Sequence, residues 1–215
     1  MPLSPDARLY GILDLGYVER SAAIRIASQM LTGGVQILQL RAKNTPLDVI
    51  RDLATELVPL CAAADAPLII NDYPQIVVET GADGVHVGQD DISVAEARKI
   101  VGPDAIVGLS THSLEQAIAA EAAQPDYIGY GPIFATATKP DYVPVGYQSI
   151  TGVHERISLP IFCIGGVDVG NLPMILHMGG LRVCIVSGIL RANSIVSYCR
   201  SCRNILAGEI DYFDP

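Results

Sequence analysis

The stretch Leu68–Asp91, LIINDYPQIVVETGADGVHVGQDD, holds one complete repeat of the pattern that decides the fold. Leu68–Asn71 is a short apolar run of strand type, and Gly84–Val87 is another. Both are nearly continuous in apolar residues, as strands buried on two faces are. Between them Tyr73–Thr80 carries a weak helical pattern, and Gly81 stands where a helix stops before a strand. Each strand runs into polar residues, Asn71-Asp72 and then Gly88-Gln89-Asp90-Asp91. A strand, a helix and a second strand with chemistry at both strand ends form a parallel β-α-β unit.

The same rhythm extends in both directions. Strands are predicted over Arg8–Leu13, Val35–Leu40, Leu68–Asn71, Gly84–Val87, Ile106–Ser110, Tyr127–Tyr130, Ile161–Ile164 and Val183–Val186. Helices are predicted over Ser21–Leu31, Pro46–Ala64, Val94–Ile100, Leu114–Ala122, Ser149–Ile157 and Asn171–His177, with Ile189–Leu206 closing the chain. Thr45–Pro46 and Ser93–Val94 read as helix starts, and Ser113 with Gln116 has capping-box spacing. Gly33–Gly34 and Gly179–Gly180 mark helix stops. Eight such units in 215 residues predict a single α/β domain over 1–215, a (β/α)8 TIM barrel with a short acidic tail at 209–215. An open flavodoxin-like sheet, which needs five or six strands, is the structural alternative.

Composition narrows the function. The chain has 23 acidic against 14 basic residues, a net charge of −9, so it lacks the clustered Lys/Arg of nucleic-acid or anionic-membrane binders. No uninterrupted apolar run reaches membrane-spanning length, and no signal-peptide pattern opens the chain. Five cysteines in a chain of this size read as reduced core thiols, which points to a cytoplasmic protein. Cys199 and Cys202 have C-x-x-C spacing late on the last predicted helix, away from the helix start that lowers a thiol pKa. They have no second pair for zinc, so they too read as structural.

A barrel of this kind works at the C-terminal ends of its strands. There the second run ends in Gln39-Leu40-Arg41-Ala42-Lys43, the fifth in Ser110-Thr111-His112, and the sixth leads into GPIFATATK at Gly131–Lys139. The seventh ends in Gly165-Gly166 and the eighth in Ser187-Gly188. Gln39, Arg41 and Lys43 alternate and so share one side of an extended strand. Two cations there, with Lys139 from another loop, suit a diphosphate. Asp72 and Asp91 are hard oxygen ligands on neighbouring strand ends and suit Mg2+ shared with phosphate oxygens. The glycines after strand seven and Val186-Ser187 after strand eight form the customary phosphate pocket of such barrels. The competing reading makes Arg41 and Lys43 solvated loop residues, and Asp72 and Asp91 turn caps. His86 reads as a packed strand-end residue, His112 as a residue orienting its neighbours or lining the site, and His154 and His177 as surface residues.

These motifs, in this order, resemble the thiamine-phosphate synthase (thiamine-phosphate pyrophosphorylase) family. The resemblance spans Tyr10–Leu190 and rests on QLRAK at Gln39–Lys43, ND at Asn71–Asp72, GVHVGQDD at Gly84–Asp91, GLSTHS at Gly108–Ser113, GPIFATATK at Gly131–Lys139 and IGGV at Ile164–Val167. It implies a transferase that joins hydroxymethylpyrimidine diphosphate to hydroxyethylthiazole phosphate, giving thiamine phosphate and pyrophosphate. It further implies that Arg41, Lys43, Asn71, Ser110 and Lys139 hold the diphosphate, with Gln39 near the pyrimidine. Asp72 and Asp91 would bind Mg2+. Thr136, Thr138, Gly166, Val186 and Ser187 would hold the thiazole phosphate. Arg41, Lys43 and Lys139 would act catalytically on the leaving group.

The chain departs from the family pattern at Leu13-Asp14-Leu15-Gly16, and again at Leu181-Arg182 before the eighth strand. Ser187-Gly188-Ile189 also occurs in related thiazole tautomerases. An isomerase with His112 as acid–base group is therefore the alternative, and a non-catalytic module binding thiamine precursors is a third reading. Small phosphorylated substrates are the expected partners, with self-association plausible for a chain of positive mean hydropathy.

Overall fold

In the computed structural model, residues 3–136 and 143–209 are described. Eight parallel strands close into a barrel in sequence order. They are β1 (Leu9–Asp14), β2 (Ile37–Arg41), β3 (Leu68–Asn71), β4 (Gly84–Val87), β5 (Ile106–Thr111), β6 (Tyr127–Tyr130), β7 (Ile161–Ile164) and β8 (Val183–Ile185). β8 pairs back on β1 with Cys184 opposite Tyr10, so no edge is left open. The helices are α1 (Ala23–Thr32), α2 (Leu47–Ala63), α3 (Pro74–Thr80), α4 (Val94–Val101), α5 (Leu114–Ala123), α6 (Ser149–His154), α7 (Leu172–His177), α8 (Ser187–Leu190) and α9 (Ile195–Ala207). Among the described residues no helix is long and apolar enough to cross a membrane.

Alternation along each strand sorts side chains into two apolar layers. On β2, Leu38 and Leu40 join the layer between barrel and helices, while Ile37 turns into the barrel. The barrel interior is filled by Tyr10, Ile12, Ile69, Ile106, Tyr127 and Phe162 among others. The rings of Tyr10, Tyr127 and Phe162 meet edge to face at 5.4–5.7 Å between centroids. This aromatic plug makes the barrel a solid core, with its upper end left for polar groups.

The helix starts follow the predicted chemistry in part. Ser93 and Glu96 form a reciprocal capping box on α4. Ser113 Oγ accepts from the Gln116 amide on α5. The Gln116 side chain, however, accepts from His112 N at 2.7 Å, so the box there is only half built. Gly81 closes α3 in the left-handed region at φ 76°, as expected for a helix stop.

The segment Ile189–Leu206 is not one helix. α8 follows β8 directly, the chain leaves helical geometry after Leu190, and α9 begins afresh with Ser194 Oγ accepting from Ser197 N. Asn193-Ser194 favours a cap over a helix interior because its side chains compete for backbone amides, which the apolar pattern alone did not reveal. His154 is likewise not a surface residue: it is half-buried, with its Nε2 enclosed and unpartnered, and burial and the nearby Arg182 lower its pKa. Arg182, whose role the sequence left open, donates to Pro5 O at 2.9 Å and ties the N-terminal segment under the barrel.

Candidate active site

At the C-terminal end of the barrel lies a pocket of about 910 Å³, including its open mouth. Gln39, Arg41, Asn71, Ser110, Thr136, Gly166, Val186 and Ser187 all line it. Strand register explains the convergence. Gln39 and Arg41 alternate with Leu38 and Leu40, so both face inward once Ile37 does. β5 brings Ser110 opposite Gly129 of β6, where the missing side chain leaves room. Thr138 and Lys139 lie outside the described residues.

The two cations of β2 and its following loop are each held by a carboxylate. Arg41 Nη1 donates to Asp14 Oδ2 at 2.6 Å, and Asp14 is almost fully buried. The other Asp14 oxygen accepts from Gly16 N at 2.9 Å. β2 ends at Arg41, so Lys43 stands beyond the strand, where its Nζ meets Asp72 Oδ2 at 2.5 Å; Lys43, Asp72 and Asp91 are not among the residues lining the pocket. Burial pulls the Lys43 pKa down, but the Asp72 carboxylate, helped by Asp91, outweighs it and holds the ammonium above its usual value.

Asp72 sits at φ 68°, a left-handed backbone that Asp tolerates. Burial pushes its carboxyl up, and the Asp91 carboxylate adds to this against the lowering effect of Lys43. The two carboxylates therefore lie close enough to repel. Asp91 also accepts from Gly88 N at 2.7 Å, so the turn-capping reading describes one of its oxygens. No cluster of three or more His, Cys, Asp or Glu suited to a metal occurs among the described residues. A divalent cation at Asp72 and Asp91 would therefore complete its shell with ligand oxygens and water, which suits Mg2+.

The opposite wall is backbone. Ile133 N donates to Ile164 O at 2.8 Å and Phe134 N to Gly165 O at 2.9 Å, docking the loop after β6 onto the end of β7. Gly165 and Gly166 both have positive φ, and a Cβ on Gly165 would stand 2.4 Å from Pro132 Cβ. Glycine is required there by conformation and by space together. Gly166, Val186 and Ser187 complete that wall.

Sequence reading missed three contributors. Asp14, in sequence only a departure from the family pattern, anchors Arg41. Tyr10 and Tyr127 read as core, yet their hydroxyls meet at 2.9 Å beneath the pocket. His86 packs at a strand end as expected, but its ring bridges Tyr127 Oη at 3.0 Å and Ser110 Oγ at 2.8 Å. His112 lines the pocket with Nδ1 at 2.6 Å from Gly131 O. The five cysteines are buried and unbridged, and burial pushes Cys199 and Cys202 up to about 12, as suits structural thiols.

A closed eight-stranded barrel with cations, carboxylates and glycine-built backbone gathered at one end defines a phosphate-handling (β/α)8 enzyme scaffold. The sequence model of the family described as thiamine monophosphate synthase matches residues 9–189. The chain is 40% identical over 202 residues to the thiamine-phosphate synthase of Halalkalibacterium halodurans, covering 94% of this chain and 96% of that protein. It is 34% identical to that of Chloroflexus aurantiacus, covering 94% of both. The thiamine phosphate pyrophosphorylase structure from Pyrococcus furiosus superposes with a TM-score of 0.87 at 27% identity, over 96% of this chain and 98% of that one. This chain belongs to the thiamine monophosphate synthase family.

Proposed function

We propose that this protein is a transferase that joins hydroxymethylpyrimidine diphosphate to hydroxyethylthiazole phosphate, releasing pyrophosphate and forming thiamine phosphate. One observation carries the reading: Gln39, Arg41, Asn71, Ser110, Gly166, Val186 and Ser187 line a single pocket, and the Lys43–Asp72 pair follows its lining strands β2 and β3 in the chain. This supports a diphosphate site and a monophosphate site opening on the same space.

The chemistry follows from this placement. The bond between the pyrimidine methylene carbon and the diphosphate oxygen breaks, and the pair of electrons leaves with pyrophosphate. The thiazole nitrogen then gives its lone pair to the same carbon. Arg41 and Lys43 are proposed to meet the leaving group, where their field would act most strongly as the bond breaks. Lys139 is proposed as a third cation there. Thr136, Thr138, Gly166, Val186 and Ser187 are proposed to anchor the thiazole phosphate, which holds the nucleophile in line. Gln39, which lines the pocket above the aromatic plug, is proposed to meet the pyrimidine ring. Asp72 and Asp91 would hold Mg2+, which supplies charge neutralisation to phosphate oxygens when bound. No protein nucleophile is needed. His112, the acid–base candidate of the isomerase reading, has its Nδ1 committed to Gly131 O.

The test is pyrophosphate release with both substrates, with each alone, and with EDTA. Release that needs both substrates and metal, with thiamine phosphate as co-product, is the expected result. A folded protein that binds thiazole phosphate but releases no pyrophosphate would overturn the reading.

A further inference from the structure

Beneath the ligand groups runs an unbroken line of polar contacts through five strands. Gln39 Nε2 donates to Tyr10 Oη at 2.6 Å. Tyr10 Oη meets Tyr127 Oη at 2.9 Å. Tyr127 Oη meets His86 Nδ1 at 3.0 Å, and His86 Nε2 meets Ser110 Oγ at 2.8 Å. The line exists because residue 108 is glycine: a Cβ there would lie 2.2 Å from the Tyr127 ring and 2.6 Å from His86 Nδ1.

The direction of these bonds follows from proton counting. A neutral phenol has one proton. Burial pushes both the Tyr10 and Tyr127 pKa values up, so each keeps that proton. Tyr10 Oη already accepts from the Gln39 amide, and its own proton, fully buried, must find an acceptor. Tyr127 Oη is the acceptor in reach. Tyr127 must then donate onward to His86 Nδ1. That leaves the imidazole proton on Nε2, where it is donated to Ser110 Oγ. The Ser110 hydroxyl proton is thereby turned toward the pocket.

We infer that Gln39, Tyr10, Tyr127 and His86 form a one-way hydrogen-bond relay that fixes His86 as its neutral Nε2–H tautomer and presents Ser110 to the ligand as a donor. A donor hydroxyl matches an anionic oxygen, so the inference deepens the proposed function and rests on it for the ligand's identity. Tyr10, Tyr127 and His86 act as positioning residues. Among the contacts given above, a neutral His86 allows one other self-consistent order, which reverses every bond, with Ser110 donating to His86 and meeting the ligand through its lone pairs. The amide at residue 39 selects between the two.

Nitrogen-15 spectra of histidine-labelled protein without substrate test this, with the His86 signals assigned by their loss in His86→Gln. Wild type should show a protonated Nε2 and a bare Nδ1. Gln39→Glu removes the donor and offers an acceptor, and Arg41, on the same face of the strand two residues on, favours the ionised carboxylate. In that variant the two ring nitrogens should exchange shifts, reporting Nδ1–H. Adding Tyr10→Phe to Gln39→Glu should restore the Nε2–H pattern, because the message no longer reaches Tyr127. A wild-type His86 protonated on Nδ1 would overturn the inference even if no variant folds. A Gln39→Glu spectrum unchanged from wild type would overturn the coupling. Absence of pyrophosphate release by the wild-type protein, with the expected spectra intact, would instead count against the functional reading.

Discussion

The buried Asp14–Arg41 pair offers the sharpest test of how the site is built. Asp14→Asn keeps shape and one acceptor. To hold the Gly16 amide, the substituted side chain must leave its oxygen where Oδ1 now sits and turn its NH2 toward the guanidinium. Donor then faces donor where the 2.6 Å charged bond was. Losing a hydrogen bond to a charged group costs about 1.5–3 kcal/mol. Breaking a fully buried ion pair costs about 3–5 kcal/mol. Arg41 keeps 18% side-chain exposure, so water recovers part of the loss, and the lower range applies. A destabilisation of about 2–3 kcal/mol lowers Tm by roughly 4–12 °C in a chain of this size. Catalysis should fall as well, by about tenfold in kcat, the equivalent of roughly 1.4 kcal/mol of orientation lost at the leaving group. The Michaelis constant for the diphosphate should move less, because removing a nearby negative charge offsets the poorer aim of Arg41. Thermal unfolding and steady-state pyrophosphate release measure both. A variant with wild-type Tm refutes the buried-pair argument, and one with wild-type kcat refutes the anchoring of Arg41.

Four other outcomes are expected. Lys43→Met should narrow the gap between diphosphate Michaelis constants with and without excess Mg2+, since Asp72 no longer has a competing ammonium; an unchanged gap would separate the two. Gly165→Ala meets Pro132 at 2.4 Å and forces a side chain onto φ +95°, so it should cost at least about 2 kcal/mol by thermal melt. Burial raises all five thiol pKa values, so no cysteine should react with an aromatic disulfide reagent at neutral pH until the protein is unfolded. Glu96, Glu115 and Glu121 have lowered pKa values, the first two from serine hydrogen bonds at helix starts and the third from bonds at Ser158. The stability they lend is complete above the unfolded carboxylate pKa of about 4.3 and disappears as pH falls through the depressed native values, which acid titration of Tm would show.

The barrel was legible because its strands carry a signal that few other arrangements produce. Leu68–Asn71, Gly84–Val87, Tyr127–Tyr130 and Ile161–Ile164 have the observed bounds, since a strand buried on both faces must be apolar throughout and must stop where polarity begins. The break between α8 and α9 was hidden because its apolar residues keep helical spacing across a serine cap. The ligand-facing polar residues were legible for the same reason as the strands: they punctuate apolar runs at one end. Tyr10 and Tyr127 were not, because an aromatic ring in a strand reads as core and its hydroxyl partner is set by barrel closure across 117 positions of sequence. Asp14 was hidden similarly, its partner being fixed by the register that sets it opposite Arg41.

The pairing of each described site cation with a carboxylate has a physical rationale in a chain of net charge −9. Such a chain attracts a polyanion poorly at long range, so recognition depends on charges already fixed at the site. An unpaired guanidinium beside an aromatic plug would be costly when the pocket is empty, and Asp14 removes that cost while leaving Arg41 most of its five donors. Lys43 lacks this spare capacity, because an ammonium held by Asp72 is a point charge already answered. Its use on a diphosphate therefore depends on what becomes of Asp72. A cation shared by Asp72 and Asp91 would answer the carboxylate in its place and return the ammonium to the ligand. In that case metal dependence would report the release of a protein cation as well as contact between metal and phosphate.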